Sequence, residues 1–305
     1  MAETQHGVVW IDGKLTSLPE ALIPVSDRGF LFGHAIFETI LALGDSLVFW
    51  EAHLARLRAG SLRARIQCPS EKELLTGISA ALNFFSKESG KSSQSRISVR
   101  LILTGGDGLS LAPARSEKGE LFKGRVVVIC KPATPLSDSE WHQGFSLKTC
   151  PDTRNKELVD IKSCNYLWNM MCLDDALIEG FDDALFVNSS GEISEASTSS
   201  FVWMSRDENC IYSAPQESNV LPGTTLMCLQ NALEALGHSV KWRPLHVTNL
   251  SEAVACAVIS SVRGLVPIRQ IDQHVFDVIA FRRQLELWNQ ALYAEQIRNC
   301  ESLRT

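Results

Sequence analysis

Glu157–Asn169 reads ELVDIKSCNYLWN, and a little further on Gly191–Phe201 reads GEISEASTSSF. Lys162 follows Ile161 and precedes a helix expected from about Asn165 to Glu179. Apolar surroundings disfavour the ammonium form of a lysine, and the neutral amine that results can condense with a carbonyl. Glu195 stands in a strand-like segment. Taken alone, Lys162 is a surface lysine at a strand end and Glu195 a solvent-facing carboxylate. The two residues by themselves do not decide between that reading and a chemical one.

Outward from this centre the chain alternates strands and helices without a regular βαβ period. Val8–Ile11 and Lys14-Leu15 flank Asp12-Gly13, a strong hairpin signal. Leu54, Leu57, Leu62 and Ile66 space out as a helix over 51–66, and a second helix is expected over 71–86. Strands are expected over 97–103, 125–130 and 145–148. After the central lysine, strands are expected at 184–188 and 199–204, joined by the turn Asn188-Ser189-Ser190-Gly191. A helix follows Gly223, a short strand covers 255–259, and a long helix runs over 278–297. The class is α+β in two domains: a small domain over 1–130, a linker at 131–140 (KPATPLSDSE), and a larger domain over 141–305.

Composition narrows the function. Hydrophobic residues are 45% and charged residues 21% of 305, ordinary for a globular chain. With 29 basic and 35 acidic residues the net charge is -6, which argues against nucleic acid or an anionic membrane as partner. The nine cysteines contain no C-x-x-C pair and read as plain thiols in a reducing compartment. The seven histidines are scattered, so no metal centre is expected. Neither a secretory leader nor a membrane-length apolar run is visible, and a cytoplasmic location is the expectation. P-loop, H-E-x-x-H and G-x-S-x-G motifs are absent.

Further pieces accompany the central pair, in one order along the chain: SDRGFLFGHAIFET (Ser26–Thr39), HLARL (His53–Leu57), IKSCNYL (Ile161–Leu167), EGFDDALFVNSSGEISEASTSSF (Glu179–Phe201), VLPGTT (Val220–Thr225) and SSVRGLVPI (Ser260–Ile268). Together they resemble the class IV aminotransferase superfamily, the fold-type IV enzymes that use pyridoxal 5′-phosphate (PLP). The resemblance implies a two-domain fold whose larger domain holds a mixed, barrel-like sheet. It also implies that Lys162 holds PLP covalently and later moves a proton, and that Glu195 pairs with the pyridine nitrogen. Arg56 matches the phosphate-binding arginine. Thr224 and Thr225, ahead of a helix, and Ser260 and Ser261 match the rest of the phosphate cup, and Tyr166 matches an aromatic beside the cofactor. Three positions depart from the family pattern: His34 stands where an aspartate is frequent, Ser200 replaces an asparagine, and Leu226 replaces an arginine.

The superfamily contains branched-chain aminotransferases, D-amino-acid aminotransferases and 4-amino-4-deoxychorismate lyases, and the fold does not choose among them. No glycine and arginine follow Phe37-Glu38, as they do in branched-chain enzymes. Phe37 stands where D-amino-acid enzymes favour tyrosine, and the loop after 97–103 offers Arg115 without a neighbouring histidine. The run Ser261-Val262-Arg263-Gly264 looks more like the lyases. The resemblance therefore points first to a lyase forming 4-aminobenzoate and pyruvate, with Arg100, Arg115 and Arg263 as candidates for the substrate carboxylates. An aminotransferase of D- or branched-chain amino acids is the alternative, and a non-catalytic member that lost its cofactor is a third reading. A small-molecule substrate and a homodimer are the expected partners.

Overall fold

The computed structural model describes residues 7–89, 95–112, 121, 123–205, 210–234 and 236–303. They form two compact units. The first comprises Met1–Thr134 with Ile161–Asn165 and Asn299–Thr305, the second Pro135–Asp160 with Tyr166–Arg298. The short segment around Lys162 thus belongs to the first unit, although long stretches of the second flank it in sequence.

The first unit begins with β1 (Val8–Ile11) and β2 (Lys14–Ser17), joined by Asp12-Gly13. Both turn residues have positive φ, +46° and +97°, the backbone of a tight two-residue hairpin. Next come α1 (Arg28–Phe32), β3 (Ala35–Leu43), β4 (Ser46–Val48), α2 (Trp50–Ala64), α3 (Glu71–Ser89), β5 (Arg96–Thr104) and β6 (Val126–Pro132). With the strand Cys300–Ser302 they give a seven-stranded sheet in the order Cys300–Ser302, β4, β3, β5, β6, β1, β2. Ile36, Ile40, Leu101 and Val128 of the sheet share one core with Leu54 and Leu57 of α2 and Leu74 and Ile78 of α3. The helices form because their apolar positions recur every three or four residues and bury against that sheet face.

The stretch 131–140 divides. Lys131 and Pro132 end β6, and the boundary between the units falls at Thr134/Pro135. Ser137 caps α4 (Asp138–Gln143), its hydroxyl accepting from the Glu140 amide while the Glu140 carboxylate accepts from the Ser137 amide and hydroxyl. This capping box turns a polar, proline-containing run into the start of a helix.

The second unit continues with β7 (Phe145–Pro151), α5 (Leu167–Ile178), β8 (Asp183–Val187), β9 (Ile193–Ala196), β10 (Ser200–Ser205), β11 (Cys210–Ser213), α6 (Thr224–Glu234), β12 (Ser239–Trp242), β13 (Ala253–Ser260), β14 (Gly264–Ile271), β15 (His274–Val275) and α7 (Val278–Arg298). β10, β13, β14, β7, β8 and β9 close into a six-stranded barrel of mixed direction, with β7 parallel to both β8 and β14. Leu147, Leu185, Ile193, Phe201, Val258 and Val266 are among the side chains of its core. Closure occurs at the pair Ser200↔Glu195. The turn 188–191 leads into β9, not directly into β10 as the sequence suggests. The Asn188 side-chain oxygen accepts from the amides of Ser190 and Glu192, and Gly191 takes φ +80°, so the chain reverses at once and β9 pairs with β8. A second reversal at Ser197–Ser199 then starts β10. Among the described residues no helix is long and apolar enough to cross a membrane.

Candidate active site

In the first unit, β4 pairs only with Ala42 and Leu43 of β3, which leaves the N-terminal half of β3 open on that side. The Lys162 segment fills the space. The Phe37 amide donates to the Lys162 carbonyl at 2.9 Å, the Cys164 amide donates to the Ala35 carbonyl at 2.9 Å, and Ser163 bridges Ile36. Backbone pairing thus fixes the lysine against a buried strand. Its ammonium lies 4.6 Å from the centroid of the Phe37 ring, and the Arg100 guanidinium lies 3.9 Å from the same centroid. The electron-rich face of an aromatic ring attracts cations, and Phe37 positions two of them. Burial raises the Cys164 thiol pKa against the pull of Arg100 and Lys162, so this neighbour stays a neutral thiol.

Arg56 and His53, one helical turn apart on α2, reach the same carboxylate. Arg56 donates from Nε to Glu38 Oε1 at 2.8 Å and from Nη2 to Oε2 at 2.6 Å, and His53 Nδ1 lies 2.7 Å from Oε2. Glu38 and His53 are each 1% exposed. Burial alone would raise the Glu38 pKa; the charge and donor bonds of Arg56, helped by His53, bring it down to about 2. Burial pushes His53 down in spite of Glu38, so its ring is neutral at pH 7 and Nδ1 carries the donated hydrogen. Glu38 engages one edge of the guanidinium fork and so sets its plane.

In the second unit, barrel closure places Glu195 on β9, 8% exposed. Its Oε1 accepts from Arg154 Nη1, and its Oε2 accepts from the Leu221 amide at 3.3 Å. Arg154 is itself held by Asp152, from Nε at 2.9 Å and from Nη2 at 2.7 Å. Glu195 also lines a cavity of about 450 Å³ with Ser200, Phe201, Leu221, Gly223 and Met227. Gly223 precedes α6 in close contact: a Cβ there would lie 2.4 Å from Ser200 Oγ. Thr224 and Thr225 open α6, where the first backbone amides have no acceptor within the helix and favour an anion. Thr225 Oγ1 and Ser261 Oγ are 2.9 Å apart, so two hydroxyls meet beside those amides. Ser260 ends β13. Tyr166 is the residue before α5. Arg263, in the turn after β13, donates to Thr198 Oγ1 at 3.3 Å.

The structure therefore gathers Lys162, Phe37 and Arg100 at β3, places Arg56 on α2 with Glu38, and joins Thr225 to Ser261 at the start of α6. Arg115 lies outside the described residues. Reading the sequence for motifs passes over Glu38 and His53, although both stand inside quoted stretches. It also passes over Asp152, Arg154 and Asn219. The signals that could reveal them are the spacing His53-x-x-Arg56 on a helix and the opposite charges of Asp152-x-Arg154 shortly before Lys162.

A family model described as amino-transferase class IV matches residues 35–271. D-alanine aminotransferase of Bacillus licheniformis is 26% identical over 265 residues, covering 87% of this chain and 88% of that protein. Aminodeoxychorismate lyase of Vibrio harveyi is 26% identical over 269 residues, covering 86% and 90%. Among solved structures, a hypothetical aminotransferase from Mycobacterium tuberculosis in its PLP-bound form superposes with a TM-score of 0.79 at 20% identity, covering 95% of this chain and 99% of that one.

The ion pair between Glu38 of β3 and Arg56 of α2 gives a pH prediction. Glu38 has a folded pKa of about 2 against an ordinary 4.5, so its contribution to stability is fully present above pH 4.5 and is lost as pH falls toward 2. Glu38→Gln removes the buried carboxylate that Arg56 grips with two hydrogen bonds and costs roughly 3 kcal/mol at pH 7. Urea unfolding at pH 7 and in steps down to pH 3 measures this: the variant starts less stable, and the gap to the parent narrows with acid. A gap that stays constant with pH contradicts the assignment.

Proposed function

We propose, from the premise that this chain belongs to the class IV aminotransferase family, that it is a PLP enzyme converting 4-amino-4-deoxychorismate to 4-aminobenzoate and pyruvate. The donor set fits the cofactor. Such a group carries a phosphate dianion, an aldehyde and a basic ring nitrogen, and the chain offers a partner of matching chemistry for each. Arg56, Thr224, Thr225, Ser260 and Ser261 would hold the phosphate, Lys162 the aldehyde carbon, and Glu195 the ring nitrogen, with Tyr166 beside the ring.

The observation that carries the reading is the shared ring of Phe37, with the Lys162 amine and the Arg100 guanidinium 4.6 and 3.9 Å from its centroid. When bound, PLP supplies an electron sink for the carbanion left by a departing proton. Lys162 is the base that takes the proton from the ring carbon bearing the amine, and a positioned base of this kind contributes roughly 10²–10⁴-fold. The C–O bond to the enolpyruvyl group then breaks as the ring aromatises, and the proton ends on the departing pyruvate. Arg100 binds a substrate carboxylate and so brings that ring carbon to the Lys162 amine, replacing diffusional encounter with a fixed approach. Glu195, as a carboxylate, keeps the ring nitrogen protonated. Arg263 supplies a second cation for a second carboxylate. The lyase substrate has two carboxylates, one for each cation, as 2-oxoglutarate has; the likeness of the run Ser261-Val262-Arg263-Gly264 to the lyases supports the lyase over an aminotransferase. The D-alanine aminotransferase relative supports amino-group transfer as the second reading, with the same roles for Lys162 and Arg100.

A homodimer is part of the proposal. Leu22, Val25 and Phe30 of the first unit are 83%, 78% and 71% exposed, and Leu167, Met170 and Ile178 of the second are 70%, 62% and 76% exposed. Leu167, Met170 and Ile178 recur at helical spacing on one face of α5, and a contiguous exposed apolar face of this kind marks a contact surface.

Purified protein loaded with PLP is given aminodeoxychorismate, and in a parallel reaction D-alanine with 2-oxoglutarate. The expected result is 4-aminobenzoate and pyruvate in equal amounts from the first and negligible glutamate from the second. Arg263→Ala should raise KM for aminodeoxychorismate about tenfold with kcat little changed, the signature of lost binding to one carboxylate. Glutamate formation from D-alanine, with aminodeoxychorismate left intact, sinks the lyase assignment in favour of amino transfer.

A further inference from the structure

Glu195 does not act alone. Behind it runs a chain of buried charges, Asp152, Arg154 and Glu195, with side-chain exposures of 0%, 17% and 11%. Asp152 accepts from the Arg154 side chain through both oxygens, at 2.9 and 2.7 Å, and from the Arg154 amide at 3.0 Å. Asn219, held at φ +72°, donates from Nδ2 to Asp152 Oδ2 at 2.7 Å, and its carbonyl accepts from Arg154 Nη2 at 3.0 Å. The guanidinium lies over the Phe186 ring at 4.6 Å. Every side of the arginine is thus fixed, and the remaining nitrogen, Nη1, is aimed at Glu195 Oε1.

A structural ion pair would need only Asp152 and Arg154. The third member matters because of charge. Two carboxylates and one guanidinium give this trio one net negative charge, and buried charge is costly unless it is paired. A protonated ring nitrogen facing Glu195 restores neutrality. We propose that Asp152 and Arg154 are positioning residues for the PLP reaction: they orient Glu195 and set the charge balance that keeps the cofactor's ring nitrogen protonated. This rests on the PLP reading of the site and adds to it a role for residues outside the expected cofactor-binding set.

The two residues have separable effects. Asp152→Asn keeps the shape and, with its amide oxygen in the place of Oδ2, the contacts with Asn219 and Arg154 Nη2. It removes a negative charge and the acceptor of Arg154 Nε, so the Arg154 field at Glu195 is no longer offset and the proton on the ring nitrogen is held less tightly. Arg154→Lys keeps the positive charge but loses the fork that spans Asp152 and Glu195, so Glu195 loses its orientation.

The test loads wild-type and variant proteins with PLP labelled with ¹⁵N in the ring. It reads nitrogen protonation by NMR, cofactor dissociation by absorbance titration, and thermal stability. In wild type the nitrogen resonates as a pyridinium. Asp152→Asn should weaken the protonation equilibrium about tenfold, moving the resonance toward unprotonated pyridine. Arg154→Lys should weaken PLP binding by roughly 10- to 100-fold, the scale on which outer residues that orient metal ligands act. A purely structural pair would lower the melting temperature and leave the nitrogen resonance where it was. The proposal is overturned if protonation is unchanged in Asp152→Asn, or if PLP affinity stays within twofold of wild type in Arg154→Lys. A wild-type protein that binds no PLP overturns the proposed function itself, a result separate from either of these.

Discussion

A carboxylate taken out of water must meet a cation or lose its charge, and both units of this protein are organised around that requirement. In the first, Glu38 is 1% exposed and remains ionised because Arg56 grips both its oxygens. In the second, Glu195 is 8% exposed and meets Arg154, which Asp152 locks in place. The consequence runs outward from each pair. A bound carboxylate fixes the plane of its arginine, and a fixed arginine presents its donors in one direction. The same interaction therefore serves stability and preorganisation together. Preorganisation matters because groups aimed before the reaction cost no rearrangement during it.

Backbone pairing brings the other reactive groups to their places. β3 is buried along nearly its whole length, and its N-terminal half is open on the side that β4 leaves uncovered. The short segment around Lys162 completes the hydrogen bonds of that half, so unmet backbone donors and acceptors hold the lysine in position. In the barrel, the closing pair Ser200↔Glu195 fixes the height of the glutamate on β9. The cavity beside it is bounded by Gly223, where a side chain would collide with Ser200. The Ser200 hydroxyl, where the family more often has asparagine, thus stands in close contact with the glycine that opens α6.

Much of this architecture is legible in the amino-acid order. Asp12-Gly13 turns the first hairpin because both residues accept positive φ, and the apolar spacing of α2, α3 and α7 marks them as helices. What escapes is structure whose signal is not periodic. β3 and β14 are buried on both faces, so they show no alternation of apolar and polar residues, and a continuous apolar run does not declare itself a strand. β12 is too short to carry a pattern. The capping box at Ser137 lies inside a run that composition marks as a linker. The return of Ile161–Asn165 to the first unit is a long-range pairing, which no local property encodes. Lys162, Glu195 and Arg56 stand out in the sequence through their resemblance to a family. Arg154 and Asp152 emerge only when the fold brings them to Glu195, with Glu195 more than forty positions further along the chain.

In the proposed function the amine of Lys162, held against Phe37, forms the covalent link to the cofactor. Reduction of the PLP-treated protein with borohydride, followed by proteolysis and mass spectrometry, tests it most directly. The expected result is a single pyridoxyl-modified peptide carrying the group on Lys162, lost in Lys162→Ala. A pyridoxyl group on a different lysine, or no adduct after exposure to excess cofactor, contradicts it.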